Sequence, residues 1–185
     1  MLIGQRVRLR ANERDDVPDY VRWLNDPEVR CYLMLFEPLS KVKEERWLDA
    51  QLDLKDSFTF AIEALVIQEW LHIGACGLNR IDWKNSTAVF GIFIGEKNQW
   101  ERGYGSEATR LLLRFAFHEL NLHRVELEVF DFNTRGIRSY EKLGFHKEGI
   151  RRHAFYRDGV YHDVILMGML RDEFSENGTP SQTKP

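Results

Sequence analysis

The sequence predicts an α/β (α+β) domain: a mixed, mostly antiparallel, twisted sheet of about seven strands flanked by helices. Three observations carry that expectation. Alternating apolar runs over 58–64, 70–78 and 87–94 follow one another through short turns, which implies an antiparallel meander. The run 87–94 leads into a glycine loop, a long helix with an apolar stripe and another alternating run over 124–129, so these two strands lie parallel across a helical crossover. Near the end, Asp158-Gly159 sits between two strand-like runs, a strong hairpin signal.

The elements follow in order. Val7, Leu9 and Ala11 alternate with Arg6, Arg8 and Arg10, giving a first strand solvated on one face. Asp15-Asp16-Val17-Pro18 opens a helix, with acidic residues and Pro in the first turn. Tyr20, Trp23 and Leu24 form its apolar stripe, and Asn25-Asp26-Pro27 breaks it. A short helix is expected over 28–33. Ser40 is an N-cap candidate for a helix over 41–53, in which Val42, Trp47 and Leu48 can share a face. Asp82-Trp83-Lys84-Asn85 reads as a turn. Val125, Leu127 and Val129 alternate with Arg124, Glu126 and Glu128, and a helix over 134–143 ends at Gly144.

Composition sets outer limits. The 185 residues suit one domain, 1–174, with a polar tail over 175–185 expected to be mobile. A net charge of −3 argues against non-specific nucleic-acid binding. Cys31 and Cys76 make no disulfide framework, which points to a reducing, cytoplasmic setting. No run reaches transmembrane length and no signal pattern opens the chain, so no membrane partner is expected. The six His residues lack tight ligand spacing, so no metal is expected, and His153 and His162 read as hairpin residues.

The chain is organised around 98–120, NQWERGYGSEATRLLLRFAFHEL. Ala108, Leu111, Leu112, Phe115 and Leu120 recur at helical spacing, and Ser106 and Glu107 sit in the first turn, where a hydroxyl and a negative charge suit free N–H groups. A glycine loop feeding a helix N-terminus is an anion site, usually for phosphate or pyrophosphate. Gly103-x-Gly105-x-x-Ala108 also matches the dinucleotide fingerprint, but seven residues, 96–102, separate it from its strand, too many for that fold's tight turn. A loop that merely starts a core helix is the plain alternative.

Taken with Asn133-Thr134-Arg135-Gly136-Ile137-Arg138-Ser139-Tyr140-Glu141-Lys142-Leu143-Gly144-Phe145, the chain resembles the Gcn5-related N-acetyltransferase (GNAT) superfamily, and within it the RimJ/RimL-type ribosomal-protein alanine acetyltransferases. The resemblance runs from 4–10 to 167–170. It implies the GNAT fold, with the parallel strand pair splayed at an acetyl-CoA site, and direct acetyl transfer from acetyl-CoA to an amine. It places the pantetheine beside Ile92, Phe93 and Ile94 and the pyrophosphate on Arg102, Gly103, Tyr104, Gly105 and Ser106. Asn133 is implied as a CoA-binding residue, and Tyr140 as the general acid that protonates the leaving thiolate. The family pattern has Gln or Arg where this chain has Trp100, and Arg102 can supply that charge instead. The general base stays open among Glu63, Asp82, Glu128 and Asp131, since 87–95 holds no carboxylate. Met34-Leu35-Phe36-Glu37-Pro38-Leu39 reads equally as a loop packed on the core or as a wall of the acceptor pocket.

The branch implies a protein or peptide α-amine as acceptor. A small amine, such as a polyamine or aminoglycoside, and a non-catalytic acyl-CoA-binding module remain the alternatives, as does a monomer or a homodimer.

Overall fold

The computed structural model describes residues 1–175; 176–185, nearly all of the expected tail, lie outside the described residues. Among the described residues eight strands form: β1 (Leu2–Ile3), β2 (Val7–Arg10), β3 (Phe58–Val66), β4 (Glu69–Asp82), β5 (Thr87–Ile94), β6 (Arg124–Phe130), β7 (His146–Arg157) and β8 (Val160–Leu170). They make one sheet in the order β1-β2-β3-β4-β5-β6-β8-β7. Every neighbouring pair is antiparallel except β5 and β6. The mixed, mostly antiparallel architecture expected from the sequence is present. The count exceeds seven because the two-residue β1 adds an edge.

The hairpin between β7 and β8 turns on Asp158 (φ 50°) and Gly159 (φ 85°), the paired positive angles a two-residue turn needs to follow strand twist. It places β8, not β7, beside β6, so β7 becomes the far edge.

Among the described residues five α-helices cover the sheet: α1 (Val17–Leu24), α2 (Pro27–Arg30), α3 (Lys41–Gln51), α4 (Tyr104–Arg114) and α5 (Thr134–Leu143). Alternation decides which face each strand residue serves. On one face Val7, Leu9, Ile62, Ala64, Leu78, Phe90, Val125 and Leu127 pack with Ala108, Leu111 and Leu112 of α4 and with Ile137 and Tyr140 of α5. On the other, Ala75 and Phe93 pack with Tyr20 and Trp23 of α1 and Val29 of α2. The sheet thus separates an α4–α5 layer from an α1–α3 layer.

Several local expectations shift. The second helix is only Pro27–Arg30, followed by turns, because Asp26 caps it and Pro27 fixes its first residue. Ser40 caps α3 as expected, its Oγ accepting from Lys43 N at 3.2 Å. On α3, however, Glu44 and Leu48 face inward, whereas Val42 is 58% exposed; Trp47 meets the Tyr20 ring at 6.3 Å. The long helix passes into a π turn over Phe115–Glu119.

The arginine face of β2 is paired, not simply solvated. Arg10 donates to both oxygens of Asp16 at 2.7 Å and to Glu63 at 2.7 Å, and Arg8 also bonds Glu63. Burial pushes both carboxyls up, but Arg10, the Glu13 N–H and His72 outweigh it at Asp16, and Arg10 and Arg8 outweigh it at Glu63, so both are held below the usual carboxylate range. Their contribution to stability is therefore full above that range and is lost progressively as pH falls from it through the depressed native values. Arg10→Met leaves two shielded carboxylates short of a partner and is expected to cost about 3 kcal/mol at neutral pH in urea denaturation. The deficit should shrink below about pH 4. A deficit under about 1 kcal/mol at neutral pH would show the cluster to be only a surface pair.

Candidate active site

Strands β5 and β6 pair over only three positions, Thr87↔Arg124, Ala88↔Val125 and Val89↔Glu126. Beyond them β5 stays on β4 through Ile94, and β6 stays on β8 through Phe130. Each strand is bound to its outer neighbour, and the sheet's twist carries the two apart. The result is a cleft of about 430 Å³ through the sheet, with Phe90, Gly91, Ile92, Phe93 and Ile94 on one lip and Leu127, Glu128, Val129 and Phe130 on the other. Backbone groups of β5 that face this gap have no strand partner, so an extended ligand can pair with them as a strand would. Trp100 Nε1 already donates to one of them, Ile94 O, at 2.7 Å.

At one end of the cleft stands the N-terminus of α4. Gly103 caps it with φ 84°, a left-handed conformation that favours glycine. Glu107 N donates to Gly103 O at 3.1 Å, so the N–H groups of Tyr104, Gly105 and Ser106 come before the first intrahelical bond. Three free N–H groups and the helix dipole converge there, as an anion requires. A Cβ on Gly105 would meet only Ile94 Cγ1, at 3.7 Å, an ordinary contact. The fold therefore tolerates a side chain at Gly105; what the missing Cβ leaves open is the cleft itself.

The first-turn residues divide their work differently from the expectation. Glu107 turns away from the helix's own amides and accepts from Arg6 N (2.7 Å) and Val7 N (3.1 Å), tying α4 to β2. Ser106 Oγ lies 3.1 Å from Ser139 Oγ, tying α4 to α5. The Tyr104 ring is buried in the core with the Arg6 guanidinium 5.2 Å from its centroid. Arg102 is not among the cleft-lining residues, and only the backbone N–H of Tyr104 remains available to a ligand.

From α5, Asn133, Gly136, Ser139 and Tyr140 line the cleft together, one helical face at spacings of three and four. Asn133 Oδ1 accepts from Gly136 N at 2.9 Å, so this residue is the N-cap of α5 as well as a cleft residue. The Tyr140 ring packs edge-on against Phe90 (6.1 Å) and Phe145 (5.9 Å). Burial pushes its phenol up to about 12. The hydroxyl has no protein hydrogen-bond partner among the described residues.

Of the four carboxylates proposed as base, only Glu128 lines the cleft. Glu63 is held by Arg8 and Arg10 on β3. Asp82 caps its own turn through Lys84 N and Asn85 N, both at 2.9 Å. Asp131 lies beside His162 and accepts from Asp163 N. Glu128 is ion-paired with Arg151. Among the described residues, no cluster of His, Cys, Asp and Glu could hold a metal ion, and both cysteines are free.

Sequence reasoning missed Arg80, Arg135, Ser139 and Thr109 as cleft residues. Ser139 was readable from helical spacing to Asn133. Arg80 was not, because it reaches the cleft through an irregularity in the β4–β5 register between Asn79 and Asp82. Arg135 stacks on Trp100 at 4.3 Å and on Tyr32 at 5.6 Å, so a cation comes to Trp100 from α5. Of the segment Met34–Leu39 only Met34 lines the cleft, where it joins Val29, Tyr32 and Leu33 in a wall on the α1–α3 side, while Phe36 is exposed.

Comparison with known proteins follows the same lines. Residues 6–146 match the model of the acetyltransferase (GNAT) domain. An uncharacterized N-acetyltransferase, p20, of Bacillus licheniformis is 32% identical over 94% of this chain and 98% of that protein. The spermidine N(1)-acetyltransferase of Escherichia coli (strain K12) is 30% identical over 96% of this chain and 93% of that protein. The crystal structure of a spermidine N-acetyltransferase from Vibrio cholerae, in complex with CoA and spermine, superposes with a TM-score of 0.82 at 27% identity, covering 91% of this chain and 97% of that one. These matches do not single out the ribosomal-protein branch.

The two loop glycines make a paired test. Gly105→Val should leave thermal stability nearly unchanged, since the contact there is ordinary, yet lower the affinity for CoA at least tenfold in calorimetry by blocking backbone approach. Gly103→Val should instead cost about 1–3 kcal/mol of stability through its positive φ. Full CoA affinity in Gly105→Val would remove this loop from the binding site.

Proposed function

The chain belongs to the acetyltransferase (GNAT) family, and we propose that this N-acetyltransferase carries an acetyl group from acetyl-CoA directly to the α-amine of a peptide or protein N-terminus. One observation carries the reading: a single cleft joins the free N–H groups of α4 on one face of the sheet to Tyr140, Glu128 and the Val29–Met34 wall on the way to the other. A thioester threaded through it has its pyrophosphate and its acyl group on opposite sides.

The roles follow from position. The N–H groups of Tyr104, Gly105 and Ser106 hold the pyrophosphate. The open edge of β5 at Phe93 and Ile94 pairs with the pantetheine and offers an N–H to the carbonyl oxygen as its charge develops. The amine nitrogen bonds to the carbonyl carbon and the carbon–sulfur bond breaks. Glu128 receives the amine's proton, and Tyr140 gives its phenolic proton to the departing thiolate. Arg151 holds the Glu128 carboxylate against the β6 lip. Cys31 and Cys76 need no part, because direct transfer uses no thiol nucleophile, and two free thiols suit a reducing, cytoplasmic setting.

Charge balance supports the α-amine. The cleft carries Glu101 and Glu128 against Arg80 and Arg135, and Glu128 is already paired. A polyamine brings several positive charges and needs several unpaired carboxylates. An α-amine, with an ordinary pKa of about 8, is also substantially neutral near neutral pH, whereas an alkyl amine near 10.4 is not. The spermidine acetyltransferase relatives favour a second reading, a polyamine acceptor. Release of free CoA with a panel of peptides, spermidine and aminoglycosides decides: peptides should win, and a wide margin for spermidine would reverse the choice.

Tyr140→Phe keeps the ring and removes the proton. It should lower kcat by about 10–100-fold, with acetyl-CoA affinity nearly unchanged. In the wild type the raised phenol stays protonated well past pH 10, so Tyr140 should impose no alkaline fall in kcat below that point. Full kcat in Tyr140→Phe, where chemistry limits turnover, would reduce this tyrosine to a packing residue.

A further inference from the structure

Arg157 ends β7, at the hairpin, far in sequence from the cleft wall it touches. Its Nη1 donates to Arg30 O at 3.0 Å and to Cys31 O, and its Nη2 donates to Leu33 O at 3.0 Å and Leu35 O at 2.9 Å. One guanidinium therefore collects four backbone carbonyls of a single six-residue stretch.

Beside this clamp the stretch is held by a few contacts: Tyr32 stacks on Phe132 at 6.3 Å and under Arg135 at 5.6 Å, and Arg30 Nη2 donates to Leu35 O at 3.5 Å. The four-residue α2 stops at Arg30 and leaves its last carbonyls without intrahelical donors. Within the turns that follow, Leu33 N donates to Arg30 O at 2.9 Å and Tyr32 N to Val29 O at 3.5 Å. The far end is pinned by Asn25, which exchanges two 2.8 Å bonds with the Leu39 backbone. Packing adds little beyond Met34, because Met34 is 59% and Phe36 88% exposed.

The side chains between the clamped carbonyls are Tyr32, Leu33 and Met34, which line the transfer cleft. Arg157 lines a separate cavity behind them, with Arg30, Cys31, Leu35 and Phe155. A second route runs the same way: the guanidinium lies 4.9 Å from the Phe155 ring, which stacks 3.9 Å from Phe130 of the cleft's β6 lip.

We propose that Arg157 is a positioning residue for acetyl transfer: it fixes the acceptor-side wall of the cleft, and so governs recognition of the amine and not of acetyl-CoA. The inference rests on the transfer reading for its acceptor side. A planar fork of N–H donors suits several carbonyls arranged around one cation, and an ammonium lacks that geometry. Because the clamp grips backbone, the hairpin sets the wall's shape whatever side chains the wall carries. It also couples the wall to β7, the edge strand, so the acceptor site is assembled from two elements more than a hundred residues apart in sequence.

The test compares Arg157→Gln, Arg157→Lys and Arg157→Ala with the wild type, using the peptide or polyamine that the wild type acetylates best. In Arg157→Gln, amide exchange over 31–36 should rise at least about tenfold while the β5 amides stay unchanged. Acceptor KM should rise at least about tenfold, with acetyl-CoA affinity and kcat at saturating acceptor within about twofold. Arg157→Lys should recover only part of the loss. Free guanidinium, but not ammonium, should lower the acceptor KM of Arg157→Ala. Unchanged exchange over 31–36 overturns the clamp, and acceptor KM moving together with acetyl-CoA affinity overturns its selectivity. A wild type that acetylates no member of the panel defeats the transfer reading instead, and the exchange measurement still decides whether Arg157 holds the wall.

Discussion

The architecture depends on the early end of one strand pairing. β5 and β6 share three residue pairs and then separate, each held by its other neighbour. A continuous sheet would satisfy every backbone group between them and leave no passage. The split leaves a row of β5 groups without strand partners and opens a route from one face to the other. Unpaired strand edges are a liability on a protein's outside. Sunk inside a sheet and flanked by helices, the same edge is accessible only to something narrow and extended.

The helices serve this gap. α4 is aimed at it by links at its first turn: Glu107 to the β2 backbone and Ser106 to Ser139 of α5. Those links engage the polar side chains of the first turn and leave its N–H groups without intrahelical partners. α5 is fixed by the Asn133 cap at one end and Gly144 (φ 101°) at the other, which orients Tyr140 onto Phe90 at the β5 lip. On the opposite face α1 and α2 bring Trp23 and Val29 against Phe93, so this wall of the cleft is built on the same strand that forms the lip. Phe90 and Phe93 point to opposite faces, and between them they tie both layers to the split.

Much of this was legible in the residues. Period-two alternation located the strands, the Asp158-Gly159 pair located the hairpin, and Gly103 and Gly144 marked the start and end of helices because their conformations favour glycine. Of the residues that the resemblance carried by RGYGSEA and by Asn133 and Tyr140 pointed to, Gly103, Gly105, Ser106, Asn133 and Tyr140 line one cleft, and Arg102 and Tyr104 do not. What escaped the sequence depends on register and distance. Nothing local says that β8 lies between β6 and β7, that Glu63 is consumed by two arginines, or that Glu128 alone of four carboxylates reaches the cleft. Arg157 carries no motif at all; its partners are carbonyls, which are the same for every residue type.

The central claim is that the interior edge of β5 is a binding surface. Amide hydrogen exchange with and without saturating acetyl-CoA tests it most directly. The account predicts slowed exchange at 90–94, at 104–106 and at the N-terminus of α5, with α3 unaffected and no such pattern with NAD. Protection that spares 90–94, or that NAD reproduces, would contradict it.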